Sequence, residues 1–126
     1  MSEPIRILLA DDEPLIRETL RELLIEEGFD VVGVAANGAE VIRAVEELHP
    51  DVVLIDVRMP ILNGIEATRR IHAEHPSTLV IALSAYDDPA LAAAAREAGA
   101  VDYVAKGTPS RELVDRVRRA VPPDLS

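Results

Sequence analysis

The sequence predicts an α/β fold in which one parallel sheet is covered by helices on both sides, and three observations predict it. Five short apolar runs alternate with five helical patterns along 126 residues. The clearest of those runs are continuously apolar, as strands buried on both faces are. The connections between them are short throughout, which suits repeated strand-to-helix turns within one domain.

The first run, residues 5–10, is β-branched and apolar and stops abruptly at Asp11, Asp12 and Glu13. From Pro14 to Glu26 apolar side chains recur at Leu15, Ile16, Leu20, Leu23 and Leu24, a helical stripe with Pro at its start and Gly28 just past its end. Residues 31–35 read as the second strand. Asn37 followed by Glu40 resembles a capping box opening a helix that carries Val41, Ile42, Val45 and Leu48.

The third strand, residues 52–55, is the most plainly apolar and ends in Asp56. A loop containing Met59-Pro60 and Asn63-Gly64 then leads into a helix with Ile65, Thr68, Ile71 and His72. Residues 79–83 form the fourth strand, ending in Ser84. Asp88-Pro89 supplies an N-cap and a first helical residue for an Ala-rich helix that stops at Gly99. Residues 101–105 make a short fifth strand ending in Lys106, and Thr108-Pro109 opens a last helix bearing Leu113, Val114, Val117 and Val121. Right-handed crossovers leave few topologies for such a chain, and a flavodoxin-like doubly wound (βα)5 sheet of order 2-1-3-4-5 is the expected one. Residues 1–121 form the domain, and 122–126 a tail or the start of a linker.

Composition narrows the function classes. With 48% apolar residues the chain can bury a core without covalent staples, and it has no cysteine for a disulfide, a thiolate nucleophile or a Cys-based zinc site. Thirteen Lys and Arg oppose 23 Asp and Glu, a net charge of -10, which disfavours nucleic acid as a partner of this domain alone. No apolar run has membrane-spanning length and no basic leader precedes one, so a cytoplasmic location away from the membrane is expected. Twelve of the basic residues are Arg; the single Lys is Lys106, which suggests a site that wants a compact ammonium.

Ligands in doubly wound folds bind beyond the carboxyl ends of the strands. There the sequence places Asp11 and Asp12 after the first strand, Asp56 after the third, Ser84 after the fourth and Lys106 after the fifth. Any one acid at a strand end reads as ordinary loop solvation; the joint set does not. Three adjacent carboxylates repel one another unless a cation sits among them. Oxygen ligands without His or Cys favour Mg2+ over Zn2+. A carboxylate beside Mg2+ can attack phosphorus, with Ser84 and Lys106 stabilising the transferring group.

These residues, with Met59-Pro60 and Asn63-Gly64, resemble the receiver domains of two-component response regulators, including the chemotaxis-regulator type, over about residues 5–121. The resemblance implies Asp56 as phosphoacceptor and Asp12 as a direct Mg2+ ligand, with Asp11 as the second acid and the Arg58 backbone carbonyl completing the metal contacts. It also implies Ser84 and Tyr103 as a coupled switch acting on the α4-β5-α5 face. A sensor histidine kinase or small phosphodonor would be the phosphoryl source, a homodimer could follow phosphorylation, and transcription regulation is one output. Gly107 follows Lys106 where many members of the family carry Pro, often after a cis bond. A cis bond before a non-proline costs about 2.5–4 kcal/mol, so none is assumed.

Three rival readings differ from this one in the residues they require. A phosphatase with an aspartyl nucleophile, of the haloacid dehalogenase type, places Asp-x-Asp after the first strand, whereas here the nucleophile follows the third strand and Arg58 stands two residues beyond it. A flavin module would want a Gly, Ser and Thr-rich loop where Asp11-Asp12-Glu13 stand. A non-phosphorylated pseudo-receiver is the third. Arg58 and Tyr86 are further candidates for controlling water access to the phosphoryl group. Arg118 and Arg119 read as complements to the last helix dipole. His72 and His75, lacking a third ligand nearby in sequence, read as surface histidines.

Overall fold

The structure is a computed structural model that describes residues 3–59, 62–85 and 87–122. Pro60, Tyr86 and the tail beyond residue 122 lie outside the described residues. The elements run β1 (Arg6–Ala10), α1 (Pro14–Glu26), β2 (Asp30–Ala35), α2 (Gly38–Leu48), β3 (Val52–Asp56), α3 (Gly64–Glu74), β4 (Leu79–Ser84), α4 (Pro89–Glu97), β5 (Asp102–Ala105) and α5 (Ser110–Ala120). The strands form one sheet in the order β2-β1-β3-β4-β5, with every pairing parallel. This is the flavodoxin-like doubly wound arrangement expected from the alternation.

Because strand side chains alternate between faces, the sheet divides the core in two. Leu8, Ala10, Val53, Ile55, Val80, Ala82 and Tyr103 pack with Val41, Val45, Ala67, Ile71 and Ala95 of α2, α3 and α4. Ile7, Leu9, Val52, Leu54, Ile81, Leu83 and Val104 pack on the other face against Leu24 of α1 and Leu113, Val114 and Val117 of α5. All five residues of β3 are buried, which explains why its sequence is a continuous apolar run closed by one acid.

Local sequence sets most boundaries. Asn37 caps α2 by accepting from the Glu40 N–H at 2.9 Å, and Glu40 reaches back to the Ala36 N–H, one residue before the usual capping-box partner. Asn63 and Asp88 cap α3 and α4 through the N–H groups of Glu66 and Ala90. Gly99 closes α4 at φ +118, a conformation L residues rarely adopt, and its Cα hydrogen side faces the His72 ring so closely that a Cβ would lie 2.4 Å from His72 Cγ.

Two expectations change. Pro109 is the N-cap of α5, with extended backbone at φ -55 and ψ 143, so the helix begins at Ser110. Leu15 is 78% exposed: the α1 stripe turns inward only from its middle onward, with Leu24 fully buried. Arg118 and Arg119 stand in the last turn of α5, and Arg118 also donates to the Glu27 carbonyl at 2.9 Å and stacks over the Phe29 ring at 5.3 Å.

Candidate functional site

The four contiguous strands β1, β3, β4 and β5 deliver their last polar residues to one edge. Asp11 follows β1 and is buried, its N–H donating to the Ala35 carbonyl of β2 at 3.0 Å. Its side chain is turned by a local bond, Oδ1 accepting from the Glu13 N–H at 2.9 Å, and its carbonyl accepts from Arg17 of α1 at 2.8 Å. Asp56 ends β3 and is 4% exposed; its Oδ1 accepts from the Arg58 N–H at 3.0 Å. Ser84 ends β4 fully buried, and its carbonyl accepts from the Lys106 N–H at 2.7 Å, fixing where Lys106 leaves β5.

Lys106 draws the set together. Its Nζ lies 2.9 Å from Asp56 Oδ2, 2.8 Å from Asp11 Oδ2 and 3.5 Å from Glu13 Oε1. Among the described residues the Lys106 ammonium is the one close partner of the buried Asp11 Oδ2. Asp12 is exposed at the rim, and oxygens of Asp11, Asp12 and Asp56 all lie within 4.8 Å of one another. Burial pushes the Asp56 carboxyl above its ordinary value, a rise only partly offset by the Arg58 N–H and the Lys106 ammonium. Burial works against the Lys106 charge too, but close pairing with Asp11 and Asp56 outweighs it and holds the ammonium firmly protonated.

One ammonium among four carboxylates leaves the site strongly negative, and the donor set is all oxygen. A buried carboxylate oxygen with the Lys106 ammonium as its one close partner, beside two further acids, fits a hard divalent cation such as Mg2+, with Asp11, Asp12 and Asp56 as the residues able to hold it.

Tyr103 is buried on the sheet face that packs against α2, α3 and α4. Register pairs Ser84 with Ala105 and Ala82 with Tyr103, which puts Ser84 and Tyr103 on the same side of the sheet. Arg58 is exposed two residues beyond Asp56. Two contributors were not legible in the sequence, Glu13 and Arg17, which act on Lys106 and Asp11. Gly64, part of the motif after Asp56, lets α3 start against β3: a Cβ there would stand 2.0 Å from the Asp56 carbonyl oxygen. Acidic character at Glu13 was visible; its direction depends on the loop.

The family model for the response regulator receiver domain matches residues 7–118. The transcriptional regulatory protein LnrK of Bacillus subtilis (strain 168) is 39% identical over 97% of this chain and 59% of its own length. The chain thus spans about three fifths of that relative. Among solved structures, the response regulator domain of Thermotoga maritima CheB is similar with a TM-score of 0.86 and 35% identity, covering 96% of this chain and 100% of that one. A chain of the CheX-CheY-BeF3-Mg+2 complex from Borrelia burgdorferi is similar with a TM-score of 0.88 and 25% identity, covering 93% of this chain and 89% of that one.

Proposed function

The chain belongs to the response regulator receiver family, and from that premise we propose that it is a phosphorylation-operated switch whose phosphoacceptor is Asp56. The observation that carries this reading is the Asp56 carboxylate, buried at the end of β3, paired with the chain's single lysine and grouped with Asp11 and Asp12.

In the proposed step an Asp56 oxygen attacks the phosphorus of a phosphohistidine on a sensor kinase, or of a small acyl phosphate. A P–O bond to Asp56 forms as the donor's P–N or P–O bond breaks, and the imidazole or carboxylate leaves with the bonding pair. Asp11, Asp12, Asp56 and the Arg58 carbonyl would hold Mg2+, which when bound supplies positive charge against the phosphoryl oxygens. The Lys106 ammonium turns from the Asp56 carboxylate to a phosphoryl oxygen, and the Ser84 hydroxyl donates to another. Movement of Ser84 is passed along the shared sheet face to Tyr103, remodelling the surface of α4, β5 and α5. The LnrK similarity supports an output at transcription.

Intact mass after incubation with acetyl phosphate and Mg2+ tests the reading. The expected result is gain of one phosphoryl group by the wild type, abolished by Asp56→Asn and by a chelator. A folded wild type that gains none would overturn it.

A further inference from the structure

At the opposite edge of the sheet, before β3 and β4 begin, two helices end alike: α2 runs into His49-Pro50 and α3 into His75-Pro76. The fold sets these ends side by side. Glu46 from the last turn of α2, Glu74 from the end of α3, and His75 each point a ligating atom at a common spot, all within 4.8 Å of one another. The His49 ring stands edge-on to that of His75, with centroids 6.4 Å apart and planes at 67°. Neither Glu46 nor Glu74 forms a salt bridge with Lys or Arg among the described residues. Two carboxylates and an imidazole thus converge with no Lys or Arg paired to either carboxylate among the described residues.

We propose that Glu46, Glu74 and His75 form a binding site for a divalent transition metal of the zinc type, with His49 available as a fourth ligand. One nitrogen and two oxygens suit zinc, whereas a hard ion such as Mg2+ prefers oxygen alone. Tetrahedral zinc, with bonds of about 2.0–2.2 Å, places neighbouring ligand atoms about 3.4 Å apart, within reach of small rotamer changes in the exposed Glu46 and Glu74 and the half-buried His75. The backbones that carry the histidines are pinned. The His49 carbonyl accepts from Arg6 at 2.8 Å, and the His75 N–H donates to Ile71 at 2.7 Å while its carbonyl accepts from Thr78 at 2.9 Å. His72, inside α3, packs on Gly99 and takes no part. A bound ion would tie the ends of α2 and α3 together at the edge of the sheet away from Asp56, and would stabilise the fold by binding the native state alone.

The experiment is titration of the full chain with Zn2+ by calorimetry, and with Co2+ by visible absorption, in saturating Mg2+ so that the Asp11, Asp12 and Asp56 cluster is occupied. The expected result is one zinc per chain and Co2+ absorption bands of a four- or five-coordinate site. His75→Ala and Glu74→Gln should each weaken zinc binding at least tenfold, while His72→Ala leaves it unchanged. Absence of stoichiometric binding, or equal affinity in wild type, His75→Ala and Glu74→Gln, would overturn the assignment.

Discussion

Gly64 shows how finely a single side chain constrains the site. The carbonyl oxygen of Asp56 occupies the space where a Cβ at residue 64 would sit, and both partners are backbone, so neither can swing aside. Gly64→Ala is expected to cost about 1–3 kcal/mol, the usual range for overpacking, and to slow phosphorylation by acetyl phosphate because Asp56 itself is displaced. Urea unfolding and the labelling rate measure the two effects. Asp56 makes a second residue-scale prediction. Its folded-state pKa lies above the ordinary value, so its contribution to stability is fully present below the unfolded pKa of about 3.9 and is lost as pH rises through the folded value. Asp56→Asn should therefore unfold at a higher temperature than wild type at pH 7 in chelator, with the gap closing near pH 3.5. A lower Tm for the variant at pH 7 would contradict the sign.

Between β5 and α5, Asp102 and Arg116 form a two-point clamp. Arg116 Nε donates to Asp102 Oδ2 at 2.7 Å, its second terminal nitrogen bonds Asp102 Oδ1, and the same nitrogen reaches the Tyr103 carbonyl at 3.2 Å. Burial alone would raise the Asp102 pKa, but the Arg116 hydrogen bonds and the Tyr103 N–H reverse it, and the net shift is downward. A depressed carboxyl stabilises above its unfolded pKa and loses that contribution as pH falls through the folded value. Both side chains are partly open to solvent, so Arg116→Met should cost about 0.5–1 kcal/mol at pH 7. That difference should vanish well below pH 4, as paired urea titrations can show. At this scale the sequence was legible wherever one residue decides: Asn37 and Asp88 cap their helices, and Gly99 ends one. It was less legible where neighbours decide. Pro109 can serve as N1 or N-cap by its own chemistry, and only the turn from Ala105, whose carbonyl accepts from Thr108, selects the latter. The outward turn of Leu15 and the pointing of Glu13 and Arg17 depend on how α1 leaves the acidic loop. His75 had no complete ligand set in sequence because Glu46 lies on another helix.

Across the whole molecule, the apolar continuity of β3 predicted its central place, and the residues closing four strands predicted the acidic edge. The order of protection should follow the same geometry. β3 pairs with β1 and β4 and is buried on both faces, whereas β2 pairs on one side only and leaves Val34 48% exposed. Native-state hydrogen exchange should find β3 amides opening only with global unfolding and β2 amides opening sooner; equal protection in both would count against this ranking. One further consequence follows from the lysine held between Asp11 and Asp56. It is the only lysine of the chain and its amine is kept protonated and shielded, so reagents that acylate amines meet no reactive side chain while the protein is folded. Loss of structure would expose that amine all at once. A single mass shift at Lys106 would then count unfolded molecules directly, making the charged centre of the site a built-in reporter of the fold around it.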